Sequence, residues 1–339
     1  MAMVRNQSGY ILGIETSCDD TAVAVLSPTG RVLSSIVSSQ DRVHAAYRGI
    51  VPELASRQHI ESIVPIFETA LTDAAVSLDQ IGGIGVTAGP GLIGSLAVGV
   101  SFAKAVALGR WLPIVAINHL EGHVVSPFLN RPWPEAPFAA FVISGGHTHL
   151  YRVDRFGSYQ TIGQTVDDAA GEAFDKVAAM MGLGFPGGPV LSKRAETGNP
   201  SAFSFPRARL RDHRFHLSFS GLKSAVARLW EELPEAEQKH RLADIAASFQ
   251  QAVIDVIIDR LELVIAEHRL TAVALAGGVS CNHRLRQTVS QKLAGVTVYL
   301  ADSGYCTDNA AMIAAAAQIR LNRGETSPLD FAVRSRWPL

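Results

Sequence analysis

The 339 residues contain only three cysteines, Cys18, Cys281 and Cys306. They are odd in number, far apart and form no CxxC pair, which argues against a disulfide framework and for a reducing compartment. Charge is scarce too: Lys, Arg, Asp and Glu make up 18% of the chain and nearly cancel, leaving a formal net charge of −1. A polyanionic partner would have to be held by a local basic surface, because the field of the whole molecule is close to zero. No apolar run reads as a membrane span, since the longest, Leu92 to Leu108, is interrupted by Lys104. The opening MAMVRNQSGYILGIE has no apolar stretch of signal-peptide length, and these absences together predict a cytoplasmic protein without a membrane partner.

What is present is core-forming material. With 47% hydrophobic residues over this length, the chain can bury a large interior and divide into two domains or lobes. Strand-like and helix-like runs alternate with glycine turns, which favours α/β architecture. YILGIETSCDDTAVAVL (Tyr10 to Leu26) reads as a strand, a turn of small and acidic residues, and a second strand. FAAFVISGGHTHLYRV (Phe138 to Val153) repeats that event after the proline-rich joint RPWPEAP, Arg131 to Pro137. A third turn, Gly277-Gly278, follows the apolar run TAVALA and precedes a helix, so the backbone can approach a ligand there. This layout predicts the actin-like ATPase superfold, with two duplicated lobes and a central cleft. The expected division is 1–130 with about 310–339 for the first lobe, and 131–309 for the second.

The most informative chemistry lies in IVAINHLEGHVV. Asn118 reads as the N-cap of a helix following a short buried strand, and His119 and His123 then fall four residues apart on one helical face. A zinc protease needs a glutamate directly after the first histidine, but Leu120 stands there. Glu121 is turned about 200° from His119 at 3.6 residues per turn and cannot replace it. Two histidines are at most half of a metal site, so either they pack a helix end or a further ligand exists. Thr307 and Asp308 precede an alanine-rich helix. Each reads as its N-cap, or Asp308 reads as a carboxylate from the second lobe completing a three-ligand site with open positions.

The motifs ETSCDDT (Glu15 to Thr21), VPELASRQH (Val51 to His59), GPGLIGSL (Gly89 to Leu96), NHLEGH (Asn118 to His123), SGGHT (Ser144 to Thr148), GEAFDK (Gly171 to Lys176), PGGP (Pro186 to Pro189), AGGVSCN (Ala276 to Asn282) and CTDNAAM (Cys306 to Met312) stand in the order of one family. The chain resembles the TsaD family of tRNA threonylcarbamoyladenosine transferases, formerly regarded as glycoproteases, from Ile11 to about Arg320. The resemblance implies transfer of a threonylcarbamoyl group from threonylcarbamoyl-AMP to the exocyclic amine of the adenosine 3′ of the anticodon, in tRNAs reading codons that begin with adenine. It implies one divalent metal per subunit, iron(II) or zinc, held by His119, His123 and Asp308, with Glu15 an acid near the catalytic cleft. Substrate contacts would map to Val142, Ile143, Ser144, Gly145, Gly146, Asp175, Gly188 and Asn282. The implied partners are tRNA, the paralogue TsaB and the ATPase TsaE, with the synthase TsaC making the adenylate.

Plainer readings stand beside these. Glu15 is equally a hydrogen-bonded structural acid, His147 a residue that only caps its turn, and Glu172 with Lys176 a surface ion pair. The arginine-rich stretch Arg207 to Arg214 offers phosphate contacts or is a solvated loop. Arg48 and Ser192 depart from the family pattern, at a glycine turn and at a substrate-contacting acid respectively. A metal-dependent peptidase and a noncatalytic actin-like scaffold are the alternative functions. Leu120 opposes the first, and the complete ligand set opposes the second.

Overall fold

The computed structural model describes residues 9–47, 49–135, 137–210 and 213–339, so Arg48 and Arg211 lie outside the described residues. The chain forms two compact units, 1–134 with 301–339, and 135–300.

The first unit opens with an antiparallel meander, β1 (Tyr10–Glu15), β2 (Asp20–Leu26) and β3 (Val32–Ser39), Ile14 standing opposite Val23. The short helix α1 (Asp41–Ala45) leads into α2 (Pro52–Asp73), which Pro52 starts at a position where a missing N–H costs nothing. Next come β4 (Ile81–Gly89), α3 (Ile93–Arg110), β5 (Ile114–Asn118) and the seven-residue α4 (His119–Val125). The sheet order is β3-β2-β1-β4-β5, with β1, β4 and β5 parallel. Residues of β1 and β4 are buried on both faces, which is why they read as apolar runs without strict alternation. Helices α2 and α3 cover one face over Leu12, Ile14, Val25, Ile84 and Val86. By length and composition α3 is apolar enough to cross a membrane, yet it packs on β4 and α2, and Lys104 in its middle donates to the Phe331 carbonyl at 2.5 Å.

The second unit repeats the pattern. Strands β6 (Phe138–Ile143), β7 (Thr148–Arg155) and β8 (Ser158–Gln164) form the meander. Helices α5 (Ala170–Met180), α6 (Gly187–Ala195), α7 (Ser220–Glu232) and the 34-residue α8 (Glu235–His268) follow. Strand β9 (Ala272–Ala276), α9 (His283–Lys292) and β10 (Thr297–Leu300) complete it. Its sheet runs β8-β7-β6-β9-β10, strand for strand the order of the first, with β6, β9 and β10 parallel. Its core gathers Phe141, Ile143, Phe174, Phe249 and Leu261.

The chain then returns to the first unit through α10 (Ala310–Asn322), which packs on β1, β2, β4, β5 and α4. A Cβ on Gly13 would sit 2.1 Å from the Ala310 carbonyl oxygen, so only glycine lets this helix lie so close to β1. Because the tail folds back in this way, Asp308 belongs to the first unit and not to the second, where a division at about residue 310 would put it.

Candidate active site

In the first unit, Asn118 caps α4 as its spacing predicts, its side chain accepting from Leu120 N at 2.9 Å. That fixes the start of the helix and places His119 and His123 side by side, ring centroids 4.7 Å apart. Helix α4 lies against α10: a Cβ on Gly122 would meet Ile313 at 2.8 Å, and Glu121 pairs with Arg320 at 2.7 Å. The residue preceding the cap of α10 therefore comes to the histidines. The cap itself is Asn309, whose Oδ1 accepts from Met312 N at 3.0 Å while its Nδ2 donates to the Thr307 carbonyl at 2.8 Å. Neither Thr307 nor Asp308 is the cap, which lies just beyond both of them. Asp308 Oδ1 stands 3.2 Å from His123 Nε2 and 3.6 Å from His119 Nε2.

The three ligand-type atoms lie within 4.8 Å of one another, and the group can hold a metal ion. Two imidazole nitrogens and one carboxylate oxygen suit zinc or iron(II). His123 supplies an independent sign of fit. It is fully buried, and both its ring nitrogens lack a hydrogen-bond partner, although Nε2 faces Asp308. A buried lone pair left this way is costly unless something takes it, and a cation does so.

Glu15, at the end of β1, meets the other side of His119. Its Oε2 is 3.1 Å from His119 Nδ1 and accepts from Thr87 Oγ1 at 2.5 Å, while its Oε1 accepts from Ser17 N at 2.5 Å. Ser17 Oγ is also 3.1 Å from Nδ1. A carboxylate accepting the Nδ1 proton directs Nε2 outward as a ligand lone pair, an arrangement common behind metal-bound histidines. Both readings of Glu15 thus meet in one residue, hydrogen-bonded and beside the ligand set. Burial pushes its carboxyl up, but His119 outweighs this and holds it below its ordinary value. Burial depresses His119, yet Asp308 and Glu15 raise it to about 9. Burial, with His119 adding to it, keeps His123 low. Asp20 is pushed up to about 8 by burial, then by Asp308 and Asp19. Sequence reasoning missed Ser17, Thr87 and Asn309. The Asn directly before an apolar helix was the available signal for the last.

In the second unit, Val142 and Ile143 are buried at the end of β6, and Ser144-Gly145-Gly146 make the turn to β7. Ser144 N donates to the His147 carbonyl at 2.7 Å and His147 N to Ser144 Oγ at 3.1 Å, so the backbone of His147 closes that turn. Gly145 and Gly146 are exposed, and Gly171 at the start of α5 abuts the Ser144 carbonyl. Gly277, at φ +88°, lies so near that a Cβ would fall 2.4 Å from the Ile143 carbonyl oxygen. Asp175 Oδ1 accepts from Gly187 N at 2.8 Å and Gly188 N at 3.1 Å, tying α5 to the start of α6. Asn282 caps α9 and donates to Ser192 Oγ at 2.9 Å and Gln250 Oε1 at 2.6 Å. Glu172 and Lys176 form the predicted i,i+4 pair at 2.8 Å. In the arginine-rich stretch, Arg207, Arg209 and Arg214 pair with Asp255, Asp259 and Glu267 of α8.

The sequence profile of the TsaD family, tRNA N6-adenosine threonylcarbamoyltransferase, matches residues 31–315. The chain belongs to this family. A protein of that description from Geobacter sp. (strain M21) is 50% identical over 331 residues, spanning 97% of this chain and 96% of its own. One from Thermodesulfovibrio yellowstonii is 48% identical over 337 residues, spanning 97% and 99%. Among solved structures, full-length HypF in its phosphate- and nucleotide-bound form aligns with a TM-score of 0.60 at 15% identity, over 94% of this chain and 56% of that one. Component A of (R)-2-hydroxyglutaryl-CoA dehydratase from Acidaminococcus fermentans aligns at 0.54 and 15%, over 93% and 100%. These likenesses establish the actin-like ATPase fold.

Proposed function

We propose that this chain transfers the threonylcarbamoyl group of threonylcarbamoyl-AMP to the exocyclic amine of the adenosine 3′ of the anticodon in tRNAs reading codons that begin with adenine. The N6–carbonyl carbon bond forms, the carbonyl carbon–oxygen bond to phosphate breaks, AMP leaves, and the amine gives up one proton. The observation that carries the reading is membership of the transferase family together with a complete His119, His123 and Asp308 set. A metal held there, iron(II) by family resemblance or else zinc, supplies Lewis-acid polarisation of a carbonyl or phosphate oxygen.

The chain's own residues then have these parts. His119, His123 and Asp308 are the ligands, and Glu15 positions His119 through Nδ1. Gly145 and Gly146 offer amides to the adenylate phosphate, in the turn that Ser144 opens beside the N-terminus of α5, whose dipole favours an anion. Val142 and Ile143 set the height of that turn. Gly277 and Gly278 leave room for the nucleoside. Asp175, Gly188 and Asn282 hold α5, α6 and α9 together, which makes them the frame of the substrate contacts. An aromatic amine is a weak nucleophile, so positioning and electrostatics supply most of the rate. The TsaB paralogue and the TsaE ATPase belong to this reading as partners, and the cytoplasm as its compartment.

The test supplies TsaB, TsaE, the TsaC synthase, ATP, bicarbonate, labelled threonine and tRNA. Label entering tRNA with the intact chain and lost with His119→Ala supports the proposal. No label despite folded, metal-loaded protein and working partners sinks it.

A further inference from the structure

The VPELASRQH segment has no part in the reaction so far described, yet its last residue reaches the turn that supports His119. His59 is fully buried in α2. Its Nε2 lies 3.0 Å from the Cys18 carbonyl oxygen, and its Nδ1 lies 2.7 Å from Thr21 Oγ1, with Gln40 Nε2 at 3.4 Å. Burial holds the imidazole below its ordinary value, so it is neutral and carries one proton. A carbonyl oxygen can only accept, which places that proton on Nε2 and leaves Nδ1 to accept from the Thr21 hydroxyl.

Three consecutive carbonyls of the turn after β1 are held by three different elements. Ser17 O accepts from Leu92 N at 2.8 Å and Asp19 O from Gln40 N at 3.2 Å, while Cys18 O accepts from His59. The outer two bonds are backbone to backbone and survive a change of side chain. The middle one exists only if residue 59 presents an N–H at the right reach. The same turn carries Ser17, whose amide bonds Glu15 and whose hydroxyl bonds His119 Nδ1.

We infer that His59 is a positioning residue for the transfer: through the Cys18 carbonyl it keeps Ser17 and Glu15 on Nδ1 of His119, and so keeps Nε2 of His119 toward Asp308. This rests on the proposed function for its chemistry and on the hydrogen-bond geometry for its placement.

The test uses two amides that differ in reach. His59→Gln sets its N–H near the position of Nε2, whereas His59→Asn sets it near Nδ1 and cannot reach Cys18. With the full chain in the transfer assay, Gln should stay within about threefold of the parent, and Asn should lower kcat by about 10- to 100-fold, the range for outer-shell partners of metal ligands. KM for tRNA should hold within about twofold, and zinc affinity should fall about tenfold for Asn alone. Equal kcat and equal zinc affinity for the two amides, whether both normal or both impaired with a lowered Tm, overturns the inference. If His59→Asn does not fold, Thr21→Val keeps the shape and removes the main donor to Nδ1. It should lower kcat several-fold, and an unchanged kcat overturns the inference. Failure of the parent chain to transfer would instead strike the proposed function, and the zinc titration of the two amides would still decide the role of His59.

Discussion

Glu121 of α4 and Arg320 of α10 form a charge-assisted pair at 2.7 Å, with Glu121 only 3% exposed. Turned away from His119, Glu121 has no part in activating water; it fastens the histidine-bearing helix to the helix that follows Asp308. Breaking the pair leaves a buried carboxylate. Arg320→Ala should cost about 2–4 kcal/mol in urea unfolding, somewhat below a wholly buried pair because Arg320 is partly exposed. It should also weaken metal binding, because the two helices carry the ligands. Unchanged stability would remove this strut from the account.

The ligand set predicts a separation between binding and folding. Asp308→Asn keeps the size of the side chain and takes away a charge that crowds Asp20 and Glu15. It should abolish metal binding by calorimetry while the metal-free protein still folds, with only a small change in Tm, because relief of Asp20 and Glu15 is set against loss of the charge that pairs with protonated His119. Asn309→Ala should do the reverse in part. Loss of the cap costs about 1 kcal/mol, with metal binding weakened but present.

Much of this was legible in the sequence, for identifiable reasons. Both hairpins show because turns of small and polar residues, Thr16 to Asp19 and Ser144 to His147, separate apolar strand-like runs, and the histidine pair shows because α4 has a strong cap at Asn118. The fourfold role of Ser17, Glu15, Thr87 and His119 was not legible, because its members lie up to 104 residues apart in sequence and no local pattern couples them. The arginine-rich stretch misleads in the same way. Its composition is local, but the α8 carboxylates that pair with Arg207, Arg209 and Arg214 come from about fifty residues further on. The place of Asp308 in the first unit depends on α10 folding back over Gly13, which is a tertiary fact.

That fold-back gives its own prediction. Gly13→Ala would press a methyl into the Ala310 carbonyl, a contact with backbone that cannot rotate away. The cost should be about 3 kcal/mol or more, and metal affinity should fall with it, since α10 must shift. A variant of normal stability would mean that α10 lies further from β1.

The pH dependence has a definite sign. His119 is raised from an ordinary 6.5 to about 9 in the metal-free protein. Its protonated form contributes stability that is complete below pH 6.5 and lost as pH rises to 9. Metal needs the neutral imidazole, so apparent zinc affinity should climb about tenfold per pH unit over that window as one proton is displaced. Calorimetry in buffers of different ionisation enthalpy reads the released proton directly, and zinc affinity flat from pH 6.5 to 8 would contradict the assignment of His119.

The most direct measurement is the modified nucleoside itself. tRNA treated with the chain and its partners is digested, and threonylcarbamoyladenosine is quantified by mass spectrometry for metal-stripped, metal-restored and Asp308→Ala protein. The account predicts product with restored metal and at most a trace with the other two. Equal product from all three would contradict a metal centre at His119, His123 and Asp308, and none from any would contradict the transferase itself.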